Sequence, residues 1–302
     1  MEKETMRRNI VKSIFSLPFV GTLRLNNYHE EINVPTISNL KTSLNAYSFN
    51  EPLMNKTMNL NDLLEYCSEL GFSGIDITGY YFPEYPKVPS DIFIFDLKRK
   101  AHLLGLSISG TGIRNDFTQP DKKLRELEVQ RVKDWIHVAA KLGAPVIRIF
   151  SGVIHPKEFT WDEIAAWMAR DIIECVEYGK QLGVIVALQN HNDFIKTAED
   201  VHKIFKMVNR EWFGLVLDIG SYRIGDPYEQ IKDTLPYAVN WQIKESIYEN
   251  GQEKKVDLSR IFKLINESEY KGFIPIETLG KGDPKLKVAA FKKEVDLALS
   301  LI

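Results

Sequence analysis

From Leu40 onward, short runs of β-branched and apolar residues alternate with longer stretches in which apolar positions recur every three or four residues. This alternation is typical of parallel strand-helix units. The short runs predict strands at 41–49, 74–79, 106–113, 145–150, 184–190, 214–218, 239–244 and 273–277. The longer stretches predict helices at about 59–70, 91–104, 121–142, 161–182, 197–208, 227–234, 257–268 and 284–301.

The joints between these units also repeat. Four helical patterns end on a Leu-Gly pair whose glycine suits the position after a helix end, namely Gly71, Gly105, Gly143 and Gly183. Their separations of 34, 38 and 40 residues each match one unit. Eight alternations without a glycine-rich phosphate loop favour barrel closure over an open doubly wound sheet. The sequence therefore predicts an α/β protein with a single (β/α)8 TIM barrel over residues 40–302.

Residues 1–39 stand apart from this pattern and are predicted to be a leader or flexible extension. Met6 to Lys12 resembles a twin-arginine export motif, and a short apolar run follows from Ser13 to Leu23. Pro18 interrupts that run, and no clean small-x-small cleavage site follows it. We expect a periplasmic location if the motif is a true export signal and a cytoplasmic one otherwise.

Composition narrows the range of partners. The 302 residues are 44% hydrophobic with a formal net charge of −2, and Lys and Arg form no long run, which argues against nucleic acid. No stretch approaches the roughly 20 apolar residues needed to span a bilayer. Cys67 and Cys175 lie in helical patterns 108 positions apart and are predicted to be buried thiols. A homo-oligomer is compatible with these features.

Polar side chains end six of the predicted strands, where a TIM barrel carries its chemistry. Unpaired buried polar groups cost roughly 1–3 kcal/mol each, so these groups are expected to converge on a polar cavity. They are Arg114 after the third strand, Arg148 in the fourth, Gln189, Asn190 and His191 in the fifth, Asp218 in the sixth, Gln242, Lys244 and Glu245 in the seventh, and Glu277 in the eighth.

The order and spacing of these strand ends resemble the xylose-isomerase-like family of sugar isomerases and epimerases over nearly all of residues 40–302. Asn45-Ala46-Tyr47-Ser48-Phe49 and Tyr80-Tyr81-Phe82-Pro83 add to the resemblance. It implies a divalent metal held by Glu, Asp, His and Glu at the ends of strands five to eight. Carried over by position, these ligands fall on Gln189, Asp218, Gln242 and Glu277.

Two of these four positions depart from the family pattern. Gln189 removes an anionic ligand, and Gln242 replaces an imidazole nitrogen with an amide oxygen. An oxygen-only set suits Mg²⁺ or Mn²⁺ better than Zn²⁺, so any metal cofactor is predicted to be one of these two. The resemblance also implies two-base epimerisation by the glutamates that end strands five and eight. Gln189 lacks the first of these carboxylates, which leaves Glu277 as the predicted base.

The remaining residues take supporting roles in this hypothesis. His191 and Lys244 are predicted to be catalytic, as candidates for the acid. Lys244 could instead form an ion pair with the carboxylates across the barrel top, or stabilise an enediolate oxygen. Glu245 is a further candidate for the acid, in a less central position. The residues predicted to bind substrate are Arg114, Arg148, Asn190 and Glu245.

Three functions fit these features. The leading hypothesis is a sugar or keto-sugar isomerase or epimerase that abstracts a proton next to a carbonyl, with metal assistance as an option. A lyase or hydratase acting on a 3-keto sugar needs only one base, and a non-catalytic sugar-binding barrel needs none. An apurinic endonuclease is disfavoured because its metal cluster needs more His and acidic ligands than these strand ends offer.

Overall fold

The computed structural model describes residues 40–268 and 270–301. Within these ranges, eight parallel strands close into a barrel in the order β1-β10-β7-β6-β5-β4-β3-β2. The barrel strands are β1 (Lys41–Asn45), β2 (Gly74–Thr78), β3 (Ser107–Gly112), β4 (Val146–Ile149), β5 (Ile185–Gln189), β6 (Phe213–Asp218), β7 (Ala238–Lys244) and β10 (Phe273–Glu277). The predicted TIM barrel is therefore confirmed.

Helices follow the strands and cover the outside of the barrel. They are α1 (Asn50–Met54), α2 (Leu60–Glu69), α3 (Asp91–Leu103), α4 (Lys122–Leu142), α5 (Trp161–Gln181), α6 (Ala198–Val208), α7 (Pro227–Thr234), α8 (Leu258–Glu267) and α9 (Pro284–Leu299). Helix α5 shows how the sequence sets these boundaries. Thr160 and Glu163 form a capping box at its start, and Ile164, Met168 and Ile172 are buried at helical spacing against the barrel.

The turns between helices and strands contain the predicted glycines in the expected conformation. Gly71, Gly105, Gly143 and Gly183 all have a positive φ, between 69° and 79°, which lets the chain turn from a helix towards the next strand. Cys67 and Cys175 are free and buried, as predicted.

The structure corrects the sequence-based boundaries in two places. The first strand ends at Asn45 rather than at residue 49, because the Asn45 side chain accepts a hydrogen bond from Tyr47 N (2.9 Å) and starts a short 3₁₀ helix. After β7 the chain forms an unpredicted antiparallel hairpin of β8 (Ser246–Glu249) and β9 (Gln252–Lys255). The predicted leader at residues 1–39 lies outside the described residues.

Candidate active site

A cavity of about 890 Å³ opens at the carboxyl ends of the barrel strands. Such a volume is within the range of small-molecule sites. Eight of the ten residues singled out in the sequence line it: Arg114, Arg148, Gln189, His191, Gln242, Lys244, Glu245 and Glu277. The other two, Asn190 and Asp218, are almost fully buried.

Lys244 lies between two carboxylates inside the barrel. Its Nζ is 2.7 Å from Asp218 Oδ2 and 3.2 Å from Glu277 Oε1, and only 13% of its side chain is exposed. Strand register produces this arrangement, since Lys244 pairs with Glu277 across β7 and β10 and Gln242 pairs with Asp218 across β6 and β7. Of the three roles predicted for Lys244, namely acid, ion-pair partner and stabiliser of an enediolate oxygen, the ion pair is the one present in this structure.

The electrostatics of this pair follow from burial opposed by opposite charge. Burial alone would raise the pKa of Asp218, but the charge of Lys244 and its hydrogen bond hold that pKa below its usual value. Burial alone would lower the pKa of Lys244, but Asp218 and Glu277 raise it. Lys244 is therefore an ammonium ion, and Asp218 a carboxylate, at neutral pH.

Gln189 links this pair to the opposite wall of the cavity. Its Nε2 donates to Asp218 Oδ2 (2.8 Å) and to Gln242 Oε1 (2.7 Å), while its Oε1 accepts from Arg148 Nη1 (3.3 Å). The reverse orientation of the amide would place its oxygen against two acceptors and its NH₂ against a guanidinium. The neighbouring groups therefore fix the Gln189 amide with its donor towards Asp218.

Arg148 lies nearly buried on the inner face of β4. Its Nη2 donates to the Tyr80 hydroxyl (3.2 Å), and the guanidinium lies 4.4 Å from the centre of the Phe150 ring. A Cβ at Gly112 would lie 2.7 Å from the Arg148 guanidinium, so a larger residue there would force the guanidinium to shift. Arg148 thus has hydrogen-bond acceptors and aromatic partners beside it in the cavity wall.

Asn190 supports the site from beneath. Its Oδ1 accepts from Asp218 N (2.8 Å) and its Nδ2 donates to Asp218 O (3.0 Å). Both ends of the amide are therefore engaged with the β6 backbone, and Asn190 positions Asp218. Its predicted contact with a substrate has no counterpart in the cavity lining.

Three predicted residues lie closer to solvent. His191 has 47% of its side chain exposed, contacts Phe150 edge-on and lies 3.6 Å from the Asp193 carboxylate. Arg114 is exposed and lies over the Tyr80 ring, and Glu245 pairs with Lys287 (3.4 Å). These three residues line the cavity, but none of them takes part in the Lys244 ion pair.

Sequence reasoning missed a buried polar layer below the ion pair. Asp76 on β2 is 3% exposed, and its Oδ2 accepts from Asn240 Nδ2 of β7 (3.1 Å) across the barrel interior. Burial raises the pKa of Asp76 to about 6, against the lowering effects of Arg148 and Asn240. The signal was available, because Asp76 is the single charge in the run Gly-Ile-Asp-Ile-Thr.

The hairpin and its neighbours supply further cavity residues that the sequence did not indicate. Tyr248, Glu253 and Lys254 come from β8 and β9, and Arg223 from the loop after β6. The Arg223 guanidinium lies 4.4 Å from the centre of the Tyr248 ring. The unpredicted hairpin therefore forms part of the cavity wall.

The donor set fits a divalent metal poorly. Among the described residues, no group of three or more His, Cys, Asp or Glu side chains is placed to hold a metal ion. Of the four positions that the resemblance assigns to metal ligands, Gln189 and Gln242 are neutral, and Asp218 and Glu277 already contact an ammonium group.

The comparisons with known proteins define the class. The family model described as xylose isomerase-like TIM barrel matches residues 64–297, and the chain belongs to this family. No curated protein matches the sequence.

No helix among the described residues is long and apolar enough to cross a membrane.

Solved structures share this fold at low sequence identity. A D-psicose 3-epimerase with D-tagatose from Clostridium cellulolyticum H10 superposes with a TM-score of 0.72 at 18% identity, covering 86% of this chain and 99% of that one. The IolI protein with a bound zinc atom superposes with a TM-score of 0.70 at 20% identity, covering 86% of this chain and 98% of that one. The probable 3-DHS dehydratase AsbF from Bacillus anthracis superposes with a TM-score of 0.63 at 17% identity, covering 85% of this chain and 99% of that one. At these identities the likeness shows the fold alone.

Proposed function

We propose that this chain is an enzyme that abstracts a proton from the carbon next to the carbonyl of a sugar or keto sugar, with Glu277 as the single base. The observation that supports this most is the position of Glu277. Its carboxylate lines the cavity, and within residues 40–268 and 270–301 the one side-chain nitrogen at ion-pair distance is Lys244 Nζ. One carboxylate oxygen is thus oriented by Lys244 while the other is left for a substrate.

The chemistry follows from these groups. Glu277 takes the proton, and the electron pair of the broken C–H bond forms a C=C bond to the carbonyl carbon. The π electrons of the carbonyl move to its oxygen, and the product is an enediolate. The Lys244 ammonium, whose side chain is only 13% exposed, stabilises that negative charge. Return of the proton to the neighbouring carbon gives an isomer, whereas departure of a hydroxyl or alkoxide from the next carbon gives an elimination product.

The walls of the cavity suit a polar substrate. Arg148 carries hydrogen-bond donors on one side, and the rings of Tyr80 and Phe150 offer apolar faces of the kind that pack against sugar rings. Glu245 and His191 line the cavity nearer to solvent, with His191 as the candidate acid for a leaving group. A small sugar is therefore the proposed ligand.

The neutral Gln189 separates this proposal from two-base epimerisation. Its amide cannot accept a proton, and it is held by Asp218, Gln242 and Arg148 on the wall where a second base would have to act. A single base supports an isomerase or a lyase. The probable dehydratase among the structural neighbours shows that the same fold occurs with an elimination activity.

The proposal is tested with a panel of aldoses, ketoses and 3-keto sugars in heavy water, with solvent deuterium incorporation followed by NMR. The wild type should exchange the proton next to the carbonyl of at least one member. Glu277→Gln should lower the rate by about 10²-fold or more, while the melting temperature stays within a few degrees.

Glu199→Gln is the matched control, because Glu199 is an exposed carboxylate of α6 that pairs with Lys203 (2.9 Å) and does not line the cavity. It should retain most of the exchange activity. No exchange with any sugar, or full exchange by Glu277→Gln, would rule out Glu277 as the base of such a reaction.

A further inference from the structure

The two carboxylates expected to bind a metal already contact the same ammonium group of the protein. Asp218 Oδ2 accepts from Lys244 Nζ and Gln189 Nε2, and its Oδ1 accepts from Gly220 N (3.0 Å). Glu277 Oε1 lies 3.2 Å from the same Lys244 Nζ. A cation at this point would have to displace a buried ammonium and part of its hydrogen-bond network.

The two amides are arranged as partners of this network and not as metal ligands. The Gln189 NH₂ group points towards Asp218 and Gln242, so a donor faces the space where a metal ligand would present an oxygen. The Gln242 oxygen accepts that donor at 2.7 Å. Both departures from the family pattern therefore serve one consistent set of hydrogen bonds.

The backbone after β6 makes room for the lysine. A Cβ at Gly220 would lie 2.8 Å from Lys244 Cδ and 3.1 Å from Ser246 O. A side chain at 220 would therefore obstruct the methylene chain that carries the ammonium group to Asp218. The absence of a side chain at Gly220 is independent of the ion pair, and it leaves room for the Lys244 side chain beside Asp218.

Charge gives a further reason. The resemblance implies three carboxylates around a divalent cation, whereas this chain places two carboxylates around a monovalent one. Replacing Glu by Gln at 189 and the metal by an ammonium removes one charge of each sign, so the net charge of the site is unchanged. The lysine compensates the remaining carboxylates as a metal would compensate the full set.

From these observations we infer that the Lys244 ammonium group takes the place of the divalent metal between Asp218 and Glu277, and that this barrel works without a bound metal ion. The inference deepens the proposed function, and its catalytic part rests on it: the ammonium is the electrophile that the enediolate faces. The structural part, a lysine in place of a metal, is tested without any substrate.

The test is calorimetric titration of full-length protein with MnCl₂ after chelation and dialysis. The wild type should show no saturable binding in the micromolar range. Gln189→Glu/Gln242→His/Lys244→Met restores the implied ligand set and removes the ammonium, so it should bind Mn²⁺. The matched control Gln189→Glu/Gln242→His keeps Lys244 and should bind at least about tenfold more weakly than the triple variant, a difference of about 1.4 kcal/mol.

Two results would overturn the inference. One is stoichiometric micromolar binding by the wild type that Asp218→Asn abolishes, and the other is equal affinity in the double and triple variants. The wild-type titration decides the question even if the triple variant does not fold, which circular dichroism would show. Because no sugar is present, the result is separate from the deuterium exchange that tests the reaction.

Discussion

Asp76 offers a quantitative test of the buried polar layer below the active site. Asp76→Asn replaces a carboxyl group with an amide of nearly the same shape, which can still accept the hydrogen bond from Asn240. The charged groups that act on Asp76 are Arg148, which lowers its pKa, and Glu277, which raises it, and burial outweighs both. The substitution therefore removes one titration and little else.

The expected magnitude follows from the pKa. The pKa of Asp76 is raised from 3.8 to about 6, so the folded protein holds this proton more tightly than the unfolded chain does. Its stabilising contribution is fully present below about pH 4 and is lost as the pH rises through about 6. At about 1.4 kcal/mol per pH unit, the loss amounts to about 3 kcal/mol.

The assay is urea denaturation followed by circular dichroism at several pH values. The free energy of unfolding of Asp76→Asn relative to the wild type should rise by about 3 kcal/mol between about pH 4 and about pH 8. Asp233→Asn, at an exposed carboxylate, is the control and should show no such trend. A difference for Asp76→Asn that stays constant or falls with pH would refute the reasoning.

Two further predictions concern other parts of the chain. Gly220→Ala should lower the free energy of unfolding by about 1–3 kcal/mol, because its methyl group would overlap Cδ of the Lys244 side chain. Thermal denaturation measures this, and a cost unchanged in the Lys244→Ala background, which lacks that atom, would show that the two residues are not coupled. We also propose that Arg7 and Arg8 belong to an export signal. A reporter fused to the full chain should then leave the cytoplasm and be retained by Arg7→Lys/Arg8→Lys, whereas equal retention of both forms would contradict the proposal.

The barrel could be predicted from sequence because its signals are local and repeated. Strand-helix alternation and glycines such as Gly143 mark each unit without reference to distant residues. The carboxyl ends of parallel strands must meet at one end of a barrel, so the convergence of Gln242, Lys244 and Glu277 was also predictable. Period-two alternation places Gln242 and Lys244 on the same inner face of β7.

The hairpin was missed although its turn carries a known signal. Asn250-Gly251 has positive φ at both residues, 50° and 77°, which is the backbone that a tight two-residue hairpin turn requires. The flanking strands contain mostly charged and polar residues, so no apolar run marks them as strands. Turn chemistry was the stronger signal at this position.

The role of Lys244 could not be decided from sequence for a physical reason. Its predicted roles as an acid, an ion-pair partner or a stabiliser of an enediolate oxygen depend on the position of Nζ, and a flexible lysine side chain can place Nζ in several directions. Strand register with Glu277 and the space left by Gly220 fix that position, and both are properties of the folded barrel.

The central claim, that one base acts on one face of the substrate, is tested most directly by the configuration of exchanged substrate. For a sugar that the wild type turns over in heavy water, unreacted material would be recovered and the deuterated carbon analysed by NMR. Removal and return of the proton by Glu277 alone predicts deuterium at that carbon with its original configuration. Accumulation of the epimer, with deuterium at the inverted carbon, would show a second base on the opposite face and contradict the account.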